Sequence, residues 1–236
     1  MKTHKGLLIV IDGTDGSGKA TQTELLMRNI VARGRNVRKI DFPRYNTNVM
    51  GGFLAECLGK KPGVVMPIDS KAFLSTDPRL ASIVYAVDRM ESSGEIKEWL
   101  EKDVVVIADR YASSNQIHQG GKIHDQETRD RFVVWLDDLE YKVCKIPRPD
   151  IIVYLHVPVE VSMSLARERA IEKGESADVA EIDAKHQYES QESALSMVRS
   201  TNNWVRVDCA DERGVMLSRE EISEKVLAAI SNLLIL

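Results

Sequence analysis

Apolar runs of strand length alternate with longer amphipathic stretches along the chain. Five runs have the length of a strand, at residues 6–12, 36–42, 103–109, 150–157 and 203–209. Several are apolar without strict alternation, which is typical of strands covered on both faces. The pattern predicts parallel strands buried between layers of helices.

Helical periodicity fills the intervals between these runs. The predicted helices span residues 18–33, 70–91, 125–143, 159–172, 181–199 and 218–234. Gly34 is a natural stop for the first helix, and Ser218 with Glu221 forms a capping box that starts the last. The alternation predicts an α/β fold with a central five-stranded parallel sheet flanked by helices on both faces. Ligands of such sheets bind beyond the carboxyl ends of the strands.

Composition narrows the class of protein. The 236 residues are 43% hydrophobic, enough for one sizeable core, so we expect a single domain over residues 1–236. The net charge of −4 disfavours a broad nucleic-acid surface. The three cysteines, Cys57, Cys144 and Cys209, lack metal-binding spacing and predict reduced thiols in a cytoplasmic protein. No apolar stretch has the length of a signal peptide's apolar region or a membrane span, so we expect no membrane partner.

A glycine-rich loop follows the first predicted strand and opens the first predicted helix. The segment GTDGSGK, residues 13–19, fits the pattern G-x-x-x-x-G-K. Its glycines allow backbone angles that let N–H groups converge on phosphate oxygens, helped by the helix N-terminus. Lys19 would reach the β and γ phosphates of a nucleotide. The alternative is an ordinary glycine-rich turn, but the position between strand and helix favours a phosphate site.

Ala20 departs from the usual form of this loop. A serine or threonine normally follows the lysine, and its hydroxyl binds Mg²⁺. Thr21 is rotated by about 100° on a helix, so we expect it to contact the α-phosphate instead. Mg²⁺ keeps several waters and binds through substrate phosphates and one carboxylate, so the site survives if a second acid is present.

The segment VVVIADRY, residues 104–111, supplies that acid. Asp109 lies at the end of the predicted strand, where it could hold Mg²⁺ directly or through water. Arg110 follows and could bridge the donor and acceptor phosphates. The alternative is a solvated Asp–Arg pair, which the nearby glycine loop makes less attractive.

Two further segments carry candidate acceptor residues. DFPRY, residues 41–45, places Arg44 just past the second strand, where it suits a phosphate. Tyr85 and Arg89 are four residues apart and share a helix face, which suits a stacked base beside a cation. Taken alone, Tyr85 would be a core residue, and Arg89 would be a surface charge paired with Asp88.

Together these segments resemble the thymidylate kinases. The blocks GTDGSGKATQT, DFPRY, YAVDR, DRYASSNQIHQG and LEYKVCKIPRPDIIVYLHVP occur in that family's order and spacing, from about residue 6 to about residue 200. The resemblance implies a P-loop NTPase fold. It also implies transfer of the γ-phosphoryl group of ATP to dTMP, giving dTDP and ADP, with Mg²⁺ as cofactor and a homodimer as the assembly.

The resemblance also assigns roles to residues. It implies ATP binding by Gly13, Thr14, Asp15, Gly16, Ser17, Gly18, Lys19, Ala20 and Thr21. It implies substrate binding by Asp15, Phe42, Arg44, Tyr85, Arg89, Arg110, Asn115 and Gln116. It implies catalytic roles for Lys19, Asp109, Arg110, Arg167 and Arg169, with Asp109 also the metal ligand. Asp12 stands where many members have glutamate.

The family's mobile lid corresponds to residues 167–182. Arg167 and Arg169 match its start, but the acidic remainder offers no further arginine. Lys173 is a possible substitute that lacks bidentate geometry, and a solvated helix end is the alternative reading. The apolar segment 131–141 could form part of a dimer face, although a core helix has the same pattern.

Two other functions stay open at the level of sequence. One is a kinase for another nucleoside monophosphate such as dUMP, because an apolar pocket for one methyl group discriminates by only about 10–200-fold. The other is a P-loop nucleotide sensor that binds ATP and transfers nothing. That reading would explain Ala20, but not the acceptor-side residues.

Overall fold

Parallel strands form the centre of the fold in a computed structural model that describes residues 6–63, 68–173 and 183–234. The strands are β1 (Leu7–Gly13), β2 (Val37–Asp41), β3 (Val105–Asp109), β4 (Ile151–His156) and β5 (Trp204–Asp208). They make a five-stranded sheet in the order β2-β3-β1-β4-β5, and every adjacent pair is parallel. The predicted α/β class and five-stranded parallel sheet are confirmed.

Both faces of the sheet are buried, as the absence of alternation in the strands predicted. In β1, Leu8 and Val10 pack into one hydrophobic cluster, and Leu7, Ile9 and Ile11 pack into another on the opposite face. All five side chains are buried. Burial of one such side chain contributes about 1.5–3 kcal/mol to the free energy of folding. The hydrophobic clusters on the two faces of the sheet therefore both stabilise the strand that precedes the glycine loop.

Helices cover the two faces. They are α1 (Lys19–Ala32), α2 (Val49–Cys57), α3 (Ser70–Leu74), α4 (Pro78–Glu91), α5 (Ser93–Glu101), α6 (Ala112–Ser114), α7 (Gln126–Asp137), α8 (Val159–Lys173), α9 (Ala184–Ser200) and α10 (Arg219–Leu234). The capping box of α10 is present, with Ser218 Oγ accepting from the Glu221 backbone N–H at 3.1 Å and Glu221 Oε2 accepting from the Ser218 N–H at 2.8 Å. No helix in these described ranges is long and apolar enough to cross a membrane.

The predicted helix 70–91 is wrong as a continuous element. The structure divides it into α3 and α4, and Pro78 is the first residue of α4. Proline lacks the N–H that a helix interior requires and disfavours helical backbone at the preceding residue, so it starts a helix here rather than continuing one. Asp77 caps α4, its carboxylate accepting from the Arg79 N–H at 2.8 Å. Helices α2, α5 and α6 were not predicted.

Two helices continue as π-helical segments. α6 runs into the π-helical segment Asn115–Gln119, and α7 runs into the π-helical segment Asp138–Val143. Sequence periodicity does not reveal such segments, because they insert one residue per turn into an otherwise ordinary helical pattern. π-helical turns are rare and occur frequently at functional sites.

The strand register gathers the candidate residues at one edge of the sheet. Ile11 of β1 and Asp41 of β2 both align with Asp109 of β3. The glycine loop after β1, the DFPRY segment after β2 and the Asp–Arg pair at the end of β3 therefore lie side by side. This is the carboxyl edge of the sheet, where the sequence placed a ligand.

Candidate active site

The glycine loop has the backbone that only glycine readily adopts. Gly16 and Gly18 both have φ near +84°. A Cβ on Gly16 would lie 2.1 Å from the Ser162 carbonyl oxygen, so a side chain is excluded by contact as well as by angle. Gly18 precedes α1 and caps it without a side-chain hydrogen bond. The first N–H groups of α1 are thus left for an anion.

Lys19 lies buried inside this loop. Its Nζ donates to the carbonyl oxygens of Gly13 at 3.0 Å and Thr14 at 2.8 Å, and lies 3.8 Å from the Asp15 carboxylate. Burial and then the positive charge of Arg110 lower the pKa of Lys19. The loop therefore holds its cation at the centre of the cradle, where a phosphate would meet it.

Asp12 fastens the loop to the segment after β3. Its Oδ1 accepts from the Gly13 N–H at 2.8 Å, and its Oδ2 accepts from the hydroxyls of Ser113 at 2.6 Å and Ser114 at 2.9 Å. Three hydrogen bonds satisfy this buried carboxylate. Asp12 therefore supports the loop, a role that no local sequence pattern indicates.

Asp109, the predicted metal ligand, ends β3 next to the end of β1. Burial raises its pKa, and the charges of Lys19 and Arg110 oppose that rise. Ala20 is exposed and Thr21 is half-buried. Within the described residues, no group of three or more His, Cys, Asp or Glu side chains forms a metal cage. One carboxylate is enough for Mg²⁺ when phosphates and water complete its shell, so the donor set fits.

Arg110 joins the loop to the far side of the site. It has φ of +66°, an uncommon angle for a non-glycine residue, at the turn that leaves β3. Its guanidinium pairs with the Asp15 carboxylate and contacts the His118 ring, Nη1 to Nε2, at 3.0 Å. Burial alone would raise the pKa of Asp15, but the charges of Arg110 and Lys19 outweigh it and hold that pKa well below its ordinary value. The pair is therefore ionised at every physiological pH.

A cavity of about 430 Å³ opens beside this ion pair. That size is typical of small-molecule sites. Six of the residues predicted to bind substrate line it, namely Asp15, Phe42, Tyr85, Arg89, Arg110 and Asn115. Tyr85 presents a half-buried ring whose centroid lies 6.2 Å from that of Phe73. The cavity combines an aromatic ring, a buried cation and a buried amide, as expected for a planar polar ligand.

Arg89 is buried and paired with Glu140, not with Asp88. Its Nε donates to Glu140 Oε2 at 3.0 Å, and its Nη2 donates to Glu140 Oε1. Asn115 donates to the same Oε1 at 3.0 Å. Burial alone would lower the pKa of Arg89, but the Glu140 carboxylate outweighs it and the pKa is raised. The reading of Arg89 as a surface charge is wrong.

Two predicted substrate residues do not line the cavity in this structure. The Arg44 side chain donates to Glu95 at 2.8 Å and to Thr47 at 2.7 Å, and its backbone N–H donates to Asp88 at 3.1 Å. Gln116 lies on the π-helical segment, and its carbonyl accepts from Ser193. Gln116 is not among the residues that line the cavity.

The predicted lid is described only at its start. Arg167 lies exposed on α8, outside the cavity wall. The side chains of Arg169 and Lys173, and residues 174–182 in full, lie outside the described residues. Helix α9 resumes the chain, and its first residues reach the cavity through Lys185, His186 and Glu189.

Sequence reasoning missed several cavity residues. His118, Gln119 and Lys122 lie on or just after the π-helical segment, and His186 comes from α9. The rings of His118 and His186 stack with centroids 5.6 Å apart. His118 lies only three residues after Asn115 in the sequence, which could have indicated that it belongs to the site. His186 follows the predicted lid, and no local sequence pattern connects it to the site.

The parallel sheet, the glycine loop and the Asp–Arg pair define a P-loop nucleotide-binding protein with a second site beside the phosphate cradle. The profile of the thymidylate kinase family matches residues 11–222. The chain therefore belongs to the thymidylate kinase family, whose members are ATP-dependent nucleoside monophosphate kinases.

Individual relatives agree with the family match. The chain is 31% identical to a thymidylate kinase of Mycobacterium tuberculosis over 182 residues, covering 77% of this chain and 80% of the relative. It is 33% identical to a probable thymidylate kinase of Thermococcus kodakarensis, covering 76% and 80%. The structure of a Candida albicans thymidylate kinase superposes with a TM-score of 0.69 at 21% identity, covering 98% of this chain and 93% of that one, and shows the shared fold.

Proposed function

We propose that the protein transfers the γ-phosphoryl group of ATP to dTMP, giving ADP and dTDP for dTTP synthesis. One observation carries the proposal beyond family membership. Asp15 belongs to the phosphate loop, yet it lines the second cavity and pairs with Arg110. A donor phosphate on the loop and an acceptor nucleotide in the cavity would therefore meet at this ion pair.

The transfer asks the protein for alignment and charge rather than for a base. A phosphate oxygen of dTMP attacks the γ-phosphorus of ATP, and the bond from that phosphorus to the β–γ bridging oxygen breaks. The acceptor is already an anion, so no proton has to be removed. Lys19 at the loop and Arg110 beside it stabilise the charge of the transferring group. Gly13, Gly16, Gly18 and Thr21 hold the donor phosphates through the loop.

The cavity holds dTMP by its base, sugar and phosphate. Tyr85 stacks on the thymine ring, Arg89 and Asn115 bond its edge, and Asp15 accepts from the sugar hydroxyl. Arg44 breaks its ion pair with Glu95 and binds the acceptor phosphate instead. The Arg44–Glu95 pair is partly exposed, at 21% and 46%, and such pairs contribute at most about 1 kcal/mol, so the exchange costs little.

Mg²⁺ completes the donor site. Asp109 would hold it directly or through water, in place of the hydroxyl that Ala20 lacks. When bound, the ion neutralises charge on the β and γ phosphates. Arg167 and Arg169 are proposed to close over the phosphates from the lid and exclude water, which competes as an acceptor.

A homodimer is proposed through α2 and α4. Helix α4 exposes Leu80, Ile83 and Met90 on one face, and the adjacent α2 exposes Val49 and Phe53. Exposed apolar side chains at helical spacing indicate an interaction surface. The segment 131–141 fits less well, because its Phe132 and Leu136 are buried in the core.

We place the protein in the cytoplasm as one catalytic unit, since its three buried cysteines are free thiols, as expected in a reducing compartment.

A coupled ADP-release assay tests the function. ATP and Mg²⁺ are held constant while dTMP, dUMP, dCMP, dGMP, AMP and UMP are supplied in turn. Release stimulated most by dTMP is the expected result. Release stimulated most by dUMP or another monophosphate would change the assigned substrate but would still identify the protein as a nucleoside monophosphate kinase. Binding of ATP without stimulation by any acceptor would favour the nucleotide sensor.

A further inference from the structure

Glu140 lies beneath the floor of the acceptor cavity and contacts both residues proposed to read the base. Its side chain is 1% exposed and does not line the cavity. One carboxylate oxygen accepts from Arg89 and from Asn115, and the other accepts from Arg89. No motif of the family resemblance assigned a role to this residue.

The hydrogen bonds fix the orientation of the Asn115 amide. Its Nδ2 donates to Glu140 Oε1 at 3.0 Å and to the Ser82 carbonyl oxygen at 3.2 Å. Both partners can only accept, so they require the NH₂ group on their side. The amide oxygen of Asn115 is therefore the group left for the cavity, which Asn115 lines. The cavity receives an acceptor at this position.

The same carboxylate fixes Arg89. Its Nε and Nη2 form a bidentate pair with Glu140, the geometry that aligns a guanidinium most firmly. This pair uses one edge of the guanidinium and leaves the Nη1 amine on the other side. Arg89 lines the cavity and is 2% exposed, so the cavity receives a buried donor beside the Asn115 acceptor.

A donor beside an acceptor matches one class of pyrimidine edge. An imide base, thymine or uracil, offers an O4 acceptor and an N3–H donor, which pair with Arg89 and Asn115 respectively. Cytosine offers an N4 amine and an unprotonated N3, so donor would face donor and acceptor would face acceptor. A site built to hydrogen-bond a substrate group rejects the analogue lacking it far more strongly than an apolar pocket rejects a methyl group.

We infer that Glu140 is a positioning residue for substrate specificity: it sets the donor–acceptor polarity of Arg89 and Asn115, so that the cavity accepts imide pyrimidines and rejects cytosine. The inference rests on the proposed placement of the base in this cavity. Both Asn115 and Glu140 lie on π-helical segments, and these two segments bring them together. A single buried carboxylate therefore contacts both side chains that are proposed to read the base.

The Glu140→Gln variant tests this directly. The glutamine has the same shape, but in one orientation its NH₂ faces the Arg89 Nε, and in the other it faces both the Arg89 Nη2 and the Asn115 NH₂. Either outcome turns one reading group out of its orientation. We expect kcat/KM for dTMP relative to dCMP to be at least about 1,000 in the wild type and to fall at least about tenfold in the variant. The KM for ATP stays unchanged, because Glu140 does not reach the loop.

Two controls separate positioning from stability. Glu127→Gln on α7 changes an 82% exposed carboxylate and should leave the ratio and the melting temperature unchanged. Glu140→Asp keeps the buried charge but withdraws it by one methylene. It therefore provides a folded variant even if Glu140→Gln fails to fold. We expect its dTMP:dCMP ratio to fall by a smaller factor. A wild-type ratio in whichever Glu140 variants fold, with only the melting temperature lowered, would show a structural role and overturn the inference.

Calorimetric titration with dTMP and dCMP, without ATP, distinguishes this inference from the proposed function. Discrimination that weakens in Glu140→Gln in the binding titration supports the inference even if transfer is absent. Equal binding of dTMP and dCMP by the wild type would overturn it, whatever the turnover. Absence of turnover with every monophosphate would count against the proposed function alone.

Discussion

His118 Nε2 lies 3.0 Å from Arg110 Nη1. Since an arginine can only donate, His118 accepts through an unprotonated Nε2, and its Nδ1–H faces Ser190 Oγ at 3.3 Å. The other side of the Arg110 guanidinium pairs with Asp15. Arg110, a residue proposed to stabilise the transferring phosphoryl group, is thus held between a carboxylate and a neutral imidazole.

The first prediction is an acid-sensitive stability. Burial and then Arg110 hold the pKa of His118 well below its ordinary value of 6.5, and burial followed by Lys122 lowers the pKa of His186. The charged groups facing the two rings are Arg110, Asp15, Lys19, Lys122, Asp183 and Glu189. Because the unfolded chain binds more protons below pH 6.5, the free energy of unfolding falls as the pH drops through about 6.5.

Urea unfolding between pH 5 and pH 7.5 measures this effect. His118→Gln keeps an acceptor for Arg110 but does not titrate, so its unfolding free energy should depend less steeply on pH than that of the wild type. His124→Gln removes a 67% exposed histidine and serves as the control, with a wild-type slope. Equal wild-type stability at pH 5.5 and pH 7.5 would contradict the prediction.

The second prediction concerns the two cations of the transfer. Lys19→Ala and Arg110→Ala should each lower kcat at least about 100-fold, as the loss of one transition-state donor typically does. The surface variants Lys102→Ala and Arg131→Ala remove side chains that are 65% and 70% exposed, and should leave kcat unchanged. Steady-state kinetics with ATP and dTMP decides the matter. Near-normal turnover of Lys19→Ala or Arg110→Ala would refute the assigned roles.

The parts of this site that could be predicted from the sequence are those whose residues lie close together along the chain. A strand, a glycine loop and a helix follow one another within residues 7–32, and the Asp–Arg pair directly ends a strand. Strand register then brings them together without further information. The sheet and the phosphate loop were therefore predictable from local pattern and from the general geometry of parallel sheets.

The missing parts depend on contacts between distant segments. Arg89 and Glu140 are 51 residues apart, and nothing near Arg89 in the sequence distinguishes a buried partner from a surface one. The orientation of Arg44 toward Glu95 depends likewise on how α5 packs. The helix break at Pro78 could have been predicted from the proline itself. The apolar periodicity on both sides of it favoured one continuous helix instead.

The third prediction tests the loop backbone. Gly16→Ala places a Cβ 2.1 Å from the Ser162 carbonyl oxygen at a φ of +84°, so the loop has to move away from α8. We expect a loss of stability of about 1–3 kcal/mol and a large loss of kcat/KM for ATP. Gly94→Ala is the matched control. Its Cβ would meet nothing within 4 Å on α5, and it should gain about 0.4–1 kcal/mol without changing activity.

Thermal unfolding and ATP kinetics on both glycine variants decide this prediction. A Gly16→Ala protein with wild-type stability and wild-type KM for ATP would show that the loop tolerates the shift. The close approach to Ser162 would then have no role in shaping the phosphate site.

The fourth prediction returns to Ala20. Because Ala20 is exposed at the start of α1, we expect a threonine to be accommodated there. If Asp109, water and the phosphates hold Mg²⁺, Ala20→Thr adds one ligand to a complete set. The kcat should then be unchanged, and the Mg²⁺ concentration for half-maximal rate should be unchanged or lower. Ala32→Thr at the exposed end of the same helix measures the cost of threonine in α1 alone.

The opposite outcome for Ala20→Thr is equally informative. A collapse of activity in Ala20→Thr with normal stability would mean that the loop requires a small side chain beside Lys19. Separately, an unchanged Mg²⁺ dependence in Asp109→Asn would show that Asp109 is not the principal metal ligand. Titrating Mg²⁺ against the rate for the wild type and both variants distinguishes the cases. We expect Asp109→Asn to raise the Mg²⁺ concentration needed for half-maximal rate. In the double variant, Ala20→Thr should lower that concentration again in part, because the threonine hydroxyl would bind the same ion as the Asp109 carboxylate.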